Sequence, residues 1–353
     1  MDRLDLVWHE AANPLYEDRF SALSEYFDLN VYGFTKFQGK VFDVTTSKDD
    51  YNLILKSPIF SFHWLTVFSF SLMFSLMKSN SKYVYIHEEA HSLLAFLICL
   101  LCRNKVLILD SAVINNRLSF FGFNFMEKYV YKRVSGFFYR NEDVRNVLIE
   151  RGVNKEKLLG VLGNGVSLKT FTKANKKIRA SDGPVIVGFA GRVWKWKGVE
   201  CLVDIQNMDG FQVNYCGPIV DEYIHEALLA SGAKYFGMLD KNGLQEFYSS
   251  IDLFILPSLP APNWKEQFGR VIVESVFSGA PAIGSNTGFI PKLVGPDATF
   301  LAGDLNNIKR VVMKFKDPDS RDRLLDLQYD AISKKYSWEA IAKCVYLESK
   351  GLV

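Results

Sequence analysis

Short, strand-like apolar runs alternate along the chain with helix-length amphipathic segments. Parallel sheets with crossover helices produce this pattern. The apolar runs predict strands over 5–8, 28–32, 83–86, 105–109 and 136–139, and again over 184–189, 211–215, 234–235, 253–256 and 281–284. A polar, basic stretch over 170–183 interrupts the alternation and reads as a linker. The expected fold class is therefore α/β, with two Rossmann-like, doubly wound parallel-sheet domains, 1–169 and 170–336, facing each other across a cleft. Ligands of such sheets bind beyond the carboxyl ends of the strands, so loops at those ends are where chemistry is sought.

One segment departs from the pattern. Residues 57–77 contain no Asp, Glu, Lys or Arg over 21 positions, long enough to cross a bilayer as a helix. Ser57, Ser61, Ser69, Ser71 and Ser75, with Pro58 and His63, weaken that reading. A spanning helix would also divide the first sheet. The remaining choices are an apolar core helix and a helix lying on a membrane. From 51 to 140 there are ten Lys or Arg against four acids, a basic excess suited to an anionic leaflet.

Composition narrows the classes. A chain of 353 residues, 48% hydrophobic and 14% aromatic, can bury two cores and is not disordered. A net charge of +3, without a basic stripe interleaved with aromatics, gives no case for nucleic acid. The five cysteines are odd in number and sit mostly in apolar runs, as reduced core thiols do. Cys99 and Cys102 have metal-knuckle spacing but no second pair downstream. No acidic pair follows a strand as a divalent-ion site would, so no metal and no cofactor are expected. The acidic start Met1-Asp2-Arg3-Leu4-Asp5 is unlike a secretory signal. A cytoplasmic protein, peripheral on the membrane face if 57–77 docks, is the expectation.

Two stretches carry chemistry. After the strand over 184–189 comes Gly191-Arg192-Val193-Trp194-Lys195-Trp196-Lys197-Gly198, a glycine turn that delivers cations and a helix N-terminus to one place, as an anion site needs. Farther on, Glu266 precedes an apolar helix and Glu274 lies within it. A carboxylate removed from water needs a partner, and eight residues of helix correspond to about 12 Å of rise. Vicinal sugar hydroxyls are donors that carboxylates accept in pairs, so the glutamates suit the two ends of a nucleotide sugar.

On Glu266 and Glu274 beside Phe268-Gly269, on Ser278-Gly279-Ala280-Pro281, and on the Gly191 to Gly198 loop, the chain resembles the retaining family 4 glycosyltransferases of the GT-B architecture. The resemblance covers nearly the whole chain and is densest over 188–291. It implies transfer of a hexose-type sugar from a nucleoside diphosphate sugar, UDP- or GDP-linked, to a saccharide acceptor such as a lipid-linked or surface polysaccharide precursor. It assigns Gly191, Arg192 and Lys197 to the donor diphosphate and Gly217 to close backbone approach. Met238 and Leu239 would meet the base through main chain. Glu266, Phe268, Gly269 and Arg270 fall at the sugar and phosphate, and Glu274 at the ribose. Asn263 and Trp264 precede them. The resemblance also implies that the final helix, 337–353, crosses back onto the first domain.

In the first domain, His87, Glu88, Glu89 and His91 follow a strand, and His87 or Glu88 is expected to orient the acceptor hydroxyl or the reacting face of the donor. Capping of the next helix by Glu88 and Glu89 is the plainer role. Asp110, Asn115, Asn116 and Arg117 follow the next strand. The loop His9-Glu10-Ala11-Ala12-Asn13-Pro14 lacks the glycine pair of the family pattern. Competing readings are a nucleotide-sugar epimerase on a similar frame and a non-catalytic partner subunit. A dinucleotide oxidoreductase lacks its glycine fingerprint.

Overall fold

Successive side chains of a strand point to opposite faces of the sheet. In β1, Arg3–Val7, Leu4 and Leu6 enter one apolar cluster and Val7 another. Both faces are covered, so the strands read as near-continuous apolar runs. The computed structural model describes residues 1–13, 16–37, 40–41, 50–59, 67–111, 121–175, 183–261 and 266–353. Pro14, His63, Asn115, Asn116, Arg117, Asn263, Trp264 and half of the expected linker, 176–182, lie outside the described residues.

The chain divides into two units, Met1–Gly165 with Trp338–Val353, and Val166–Ser337. The first holds β1, β2 (Asp28–Phe34), a small hairpin of β3 (Lys36–Phe37) and β4 (Lys40–Val41), β5 (Asn52–Lys56), β6 (Tyr83–Ile86), β7 (Val106–Ser111), β8 (Gly136–Tyr139) and β9 (Leu158–Val161). Seven of these form a parallel sheet in the order β5-β2-β1-β6-β7-β8-β9. Helices Glu17–Ser24 and Trp338–Gly351 pack on one face through Phe20, Leu23, Trp338, Ile341 and Val345. Helices Phe70–Lys78, Leu93–Leu101, Phe121–Arg133 and Glu142–Glu150 cover the other.

The second unit holds β10 (Val185–Ala190), β11 (Phe211–Cys216), β12 (Lys234–Tyr235), β13 (Leu253–Leu256), β14 (Ala282–Ser285) and β15 (Thr299–Phe300). All pair in parallel in the order β12-β11-β10-β13-β14-β15 around a single apolar core.

Three sequence expectations change. Residues 57–77 are not one helix: regular helix begins at Phe70 and runs nine residues, 57–59 and 67–69 are not helical, and 60–66 lie outside the described residues. Among the described residues, no helix is long and apolar enough to cross a membrane. Glu88 and Glu89 do not occupy a first helical turn. Helix Leu93–Leu101 starts later, capped by Ser92, whose Oγ accepts from Ala95 N at 3.1 Å. The span from Glu266 to Glu274 is not continuous helix either, because the helix begins at Arg270. The estimate of helical rise therefore applies only to its last turn.

Candidate functional site

In the second unit, the loops after β10, β11 and β12 are tied by main chain. Gly191 N donates to Cys216 O at 3.0 Å, Val193 N to Pro218 O at 2.9 Å, and Gly217 N to Gly237 O at 2.9 Å. Tyr235 OH adds a bond to Gly217 O at 2.7 Å. Gly191 and Gly217 thus sit side by side at the carboxyl end of the sheet, where the sequence placed the anion loop. Met238 is exposed beyond Gly237, and Leu239 is half-buried.

Regular helix does not follow Gly198 directly. A 3-10 turn, Lys195–Lys197, comes first, and helix Cys201–Gln206 starts three residues past Gly198. Lys197, rather than a helix N-terminus, is what this turn presents. Gly198 has φ +68, and a Cβ there would collide with the carbonyl of Pro257. Only glycine allows that approach. It brings Lys197 beside Glu266, with Nζ 2.5 Å from Oε2. Ser258 Oγ donates to the same oxygen at 3.3 Å. The Glu266 backbone is fixed too: Phe289 N donates to its carbonyl at 3.3 Å, and Gly288, at φ +58, packs where a Cβ would strike that carbonyl.

Arg192 is exposed, its guanidinium 4.9 Å from the Trp194 ring centre, and among the described residues it has no carboxylate partner. Lys195 is likewise exposed and lies over Trp196. Phe268 turns inward, stacked 5.5 Å from Phe289 and edge-on to Tyr336, so its ring anchors the loop while Gly269, at φ +83, starts the helix. Glu274 is 5% exposed; Tyr248 OH donates to Oε2 at 3.0 Å, and Arg270 Nε lies 2.9 Å from Oε1. Burial pushes the Glu274 carboxyl up, partly offset by Arg270 and Tyr248.

In the first unit, the carboxyl ends of β6, β7 and β8 converge on Asp110. This residue, 2% exposed, lies within β7. Its Oδ2 accepts from Tyr85 OH at 3.0 Å, Arg19 NH2 at 3.1 Å and Arg140 NH2 at 3.0 Å, and lies 2.8 Å from His87 Nδ1. Because a carboxylate only accepts, Nδ1 carries the proton and Nε2 is left as the acceptor. Burial and Arg19 hold the His87 pKa down to about 3. Burial would raise the Asp110 carboxyl, but Arg140, His87 and Arg19 outweigh it and hold the group well below the carboxylate range. Arg140 also bonds Gly163 O and Asn164 Oδ1.

Glu88 is buried beside this cluster. Its Oε1 accepts from His9 N at 2.8 Å and lies 2.7 Å from His9 Nδ1, while Oε2 has no partner. Burial works against the His9 imidazolium, but Glu88 raises its pKa above the ordinary value. The sequence did not mark Arg19, Arg140, Tyr248 or Ser258. A lone arginine whose partner lies 91 residues away leaves no spacing signal.

Two parallel-sheet α/β units of this kind define the GT-B fold class. Residues 170–320, somewhat less than half of the chain, match the family model for glycosyl transferases group 1. Among curated relatives, a GDP-mannose-dependent alpha-mannosyltransferase of Corynebacterium glutamicum is 27% identical over 184 residues, 50% of this chain and 42% of the relative. Another of the same description, from Mycolicibacterium smegmatis, is 30% identical over 42% of this chain and 39% of its own length. The chain thus matches about two-fifths of the length of these relatives. Similar solved structures include Anabaena HepE in complex with UDP, at TM-score 0.73 and 14% identity over 99% of this chain and 100% of that one. A glycosyltransferase from Rickettsia africae gives TM-score 0.75 and 15% identity over 99% and 98%. At these identities the likeness is one of fold.

Proposed function

We propose that the protein is a retaining, metal-independent glycosyltransferase that moves a hexose from a nucleoside diphosphate sugar to a saccharide acceptor, such as a lipid-linked or surface polysaccharide precursor. The observation that carries this reading is the junction of Lys197, Ser258 and Glu266 at the carboxyl ends of β10 and β13, with Arg192 exposed on the same loop as Lys197. Two cations and a carboxylate fixed at the end of a doubly wound sheet suit a ligand that is anionic at one end and rich in hydroxyls at the other.

Arg192 and Lys197 stabilise the diphosphate as it leaves, a largely electrostatic form of catalysis. Glu266 accepts from sugar hydroxyls, Glu274 from the ribose, and backbone near Gly217, Met238 and Leu239 meets the nucleotide. The leaving phosphate assists deprotonation of the acceptor on the same face of the sugar. His87, whose side chain is 12% exposed, orients the acceptor hydroxyl through Nε2, and Glu88, fully buried, acts through His9. GDP-mannose is the first donor to test, because two relatives carry that dependence in their names.

Calorimetric titration with GDP, UDP, CDP and ADP, with and without magnesium, tests the donor site. One nucleotide is expected to bind without metal. Arg192→Ala is expected to weaken it by about 10- to 100-fold, the worth of a charge-assisted hydrogen bond, with little change in thermal unfolding because the side chain is exposed. Failure of all four nucleotides, or equal binding by the variant, would move the reading to a non-catalytic partner subunit. Retention is checked by the anomeric configuration of the first-formed product in NMR spectra.

A further inference from the structure

We propose that one face of the first unit, built by helices Phe70–Lys78, Leu93–Leu101 and Phe121–Arg133, docks on an anionic membrane leaflet. This inference rests on no part of the donor site and stands apart from the glycosyl-transfer reading. The first of these helices buries Leu72, Met73 and Leu76, yet exposes Phe70, Phe74 and Met77 to 72%, 57% and 52%. Their spacing of four and three residues puts them on one side of the helix. A packed helix ordinarily presents polar groups on that side.

The exposed apolar groups continue across the neighbouring helices. Met77 and Leu101 line one open cavity of about 480 Å³ with Arg103. Phe125, 61% exposed, lies 6.1 Å from the ring of Phe96 on the middle helix. Large exposed side chains gathered on one face mark an interaction surface.

Charge identifies the occupant. The three helices and the loop 102–105 contain six Lys or Arg and one acid, Glu127. That acid is buried and accepts from Tyr131 OH at 2.9 Å and Arg151 at 3.0 Å. Lys78, Arg103, Lys128 and Lys132 are exposed, with the Lys78 ammonium 4.2 Å from the Phe74 ring centre. Lys128 and Lys132 also line a cavity of about 490 Å³ with Arg151 and Lys157, which suits a phosphate headgroup. Aromatic side chains interleaved with cations, without an exposed anion, fit acyl chains below anionic headgroups. A two-fold copy of the same face would set these cations against their own counterparts, which disfavours a second chain as the occupant.

Flotation with vesicles tests the proposal on the full chain. The protein is expected to float with phosphatidylcholine vesicles containing about 30% phosphatidylglycerol, to stay behind with phosphatidylcholine alone, and to be released by about 0.5 M NaCl, as screened surface charge requires. The double variant Phe70→Ser, Phe74→Ser and the double variant Lys128→Glu, Lys132→Glu are each expected to lower the bound fraction at least about tenfold. Both change exposed positions, and unchanged thermal unfolding verifies their folds. No binding by the native chain, or native-like binding by both variants, would overturn the proposal. So would a concentration-dependent dimer in ultracentrifugation that the phenylalanine variant abolishes, since the face would then belong to a second copy.

Discussion

Glu266→Ala is expected to lower kcat for sugar transfer by at least about 100-fold, the scale of losing one preorganised charge at a reacting centre, while leaving the fold intact. The side chain is 15% exposed and that of its cationic partner Lys197 is 14% exposed, so the loss strands no deeply buried charge. Nucleotide affinity is the discriminating measurement. Lys197 loses the carboxylate that neutralises it at 2.5 Å, so binding of the free nucleoside diphosphate is expected to hold or tighten while transfer fails. Glu266→Gln keeps the size and one acceptor, and should recover part of the rate. Normal turnover by the alanine variant would remove Glu266 from the reaction. Weakened nucleotide binding would instead assign it to holding the diphosphate loop.

Asp110→Ala is expected to destabilise the first unit by about 3–5 kcal/mol, the cost of removing one partner from a buried ion pair. Two guanidiniums, 4% and 12% exposed, would be left facing each other with no carboxylate between them. Arg19 is further enclosed by the rings of Trp8, Tyr85 and Trp338. Urea unfolding of the two chains at pH 7 measures the difference, and a change below about 1 kcal/mol would show that the cluster carries no such coupling.

Lowering the pH probes the same groups. Native His87 takes up a proton only near pH 3, whereas in the unfolded chain it does so near its ordinary 6.5. The unfolded state therefore binds more protons between these values. The stability this residue contributes is complete above about pH 6.5 and is lost as the pH falls toward 3. His9, raised by Glu88, runs the other way, its contribution present at low pH and lost as the pH rises through its folded value. A His87→Gln variant should therefore unfold with a flatter pH dependence than the native chain between pH 7 and 5, and an unchanged slope would contradict the burial of His87.

The central strands were legible because burial on both faces forces continuous apolar runs, as at Tyr83–Ile86 and Leu253–Leu256. Strands β5, β9 and β15 were not legible; each lies at a sheet edge, where one side has no neighbour, although β12, the remaining edge strand, was predicted. Asn52–Lys56 begins and ends in polar residues, and Leu158–Val161 is only half-buried.

Strand periodicity and glycine turns are local features, and they made the fold class and the turn that ends β10 legible; Glu274, a charged residue inside an apolar helix, is another such local feature. Tertiary structure decided which charges meet. Lys197 pairs with Glu266 across 69 residues because Gly198 lets the turn approach Pro257, and Asp110 gathers Arg19 and Arg140 from helix Glu17–Ser24 and from the end of β8. It also decided that the apolar stretch before Lys78 is a short helix with one side in the core and three large side chains in solvent. The physical reason is one of range: backbone preference acts over a few residues, whereas a buried charge is satisfied by whatever partner the closed chain brings within about 3 Å.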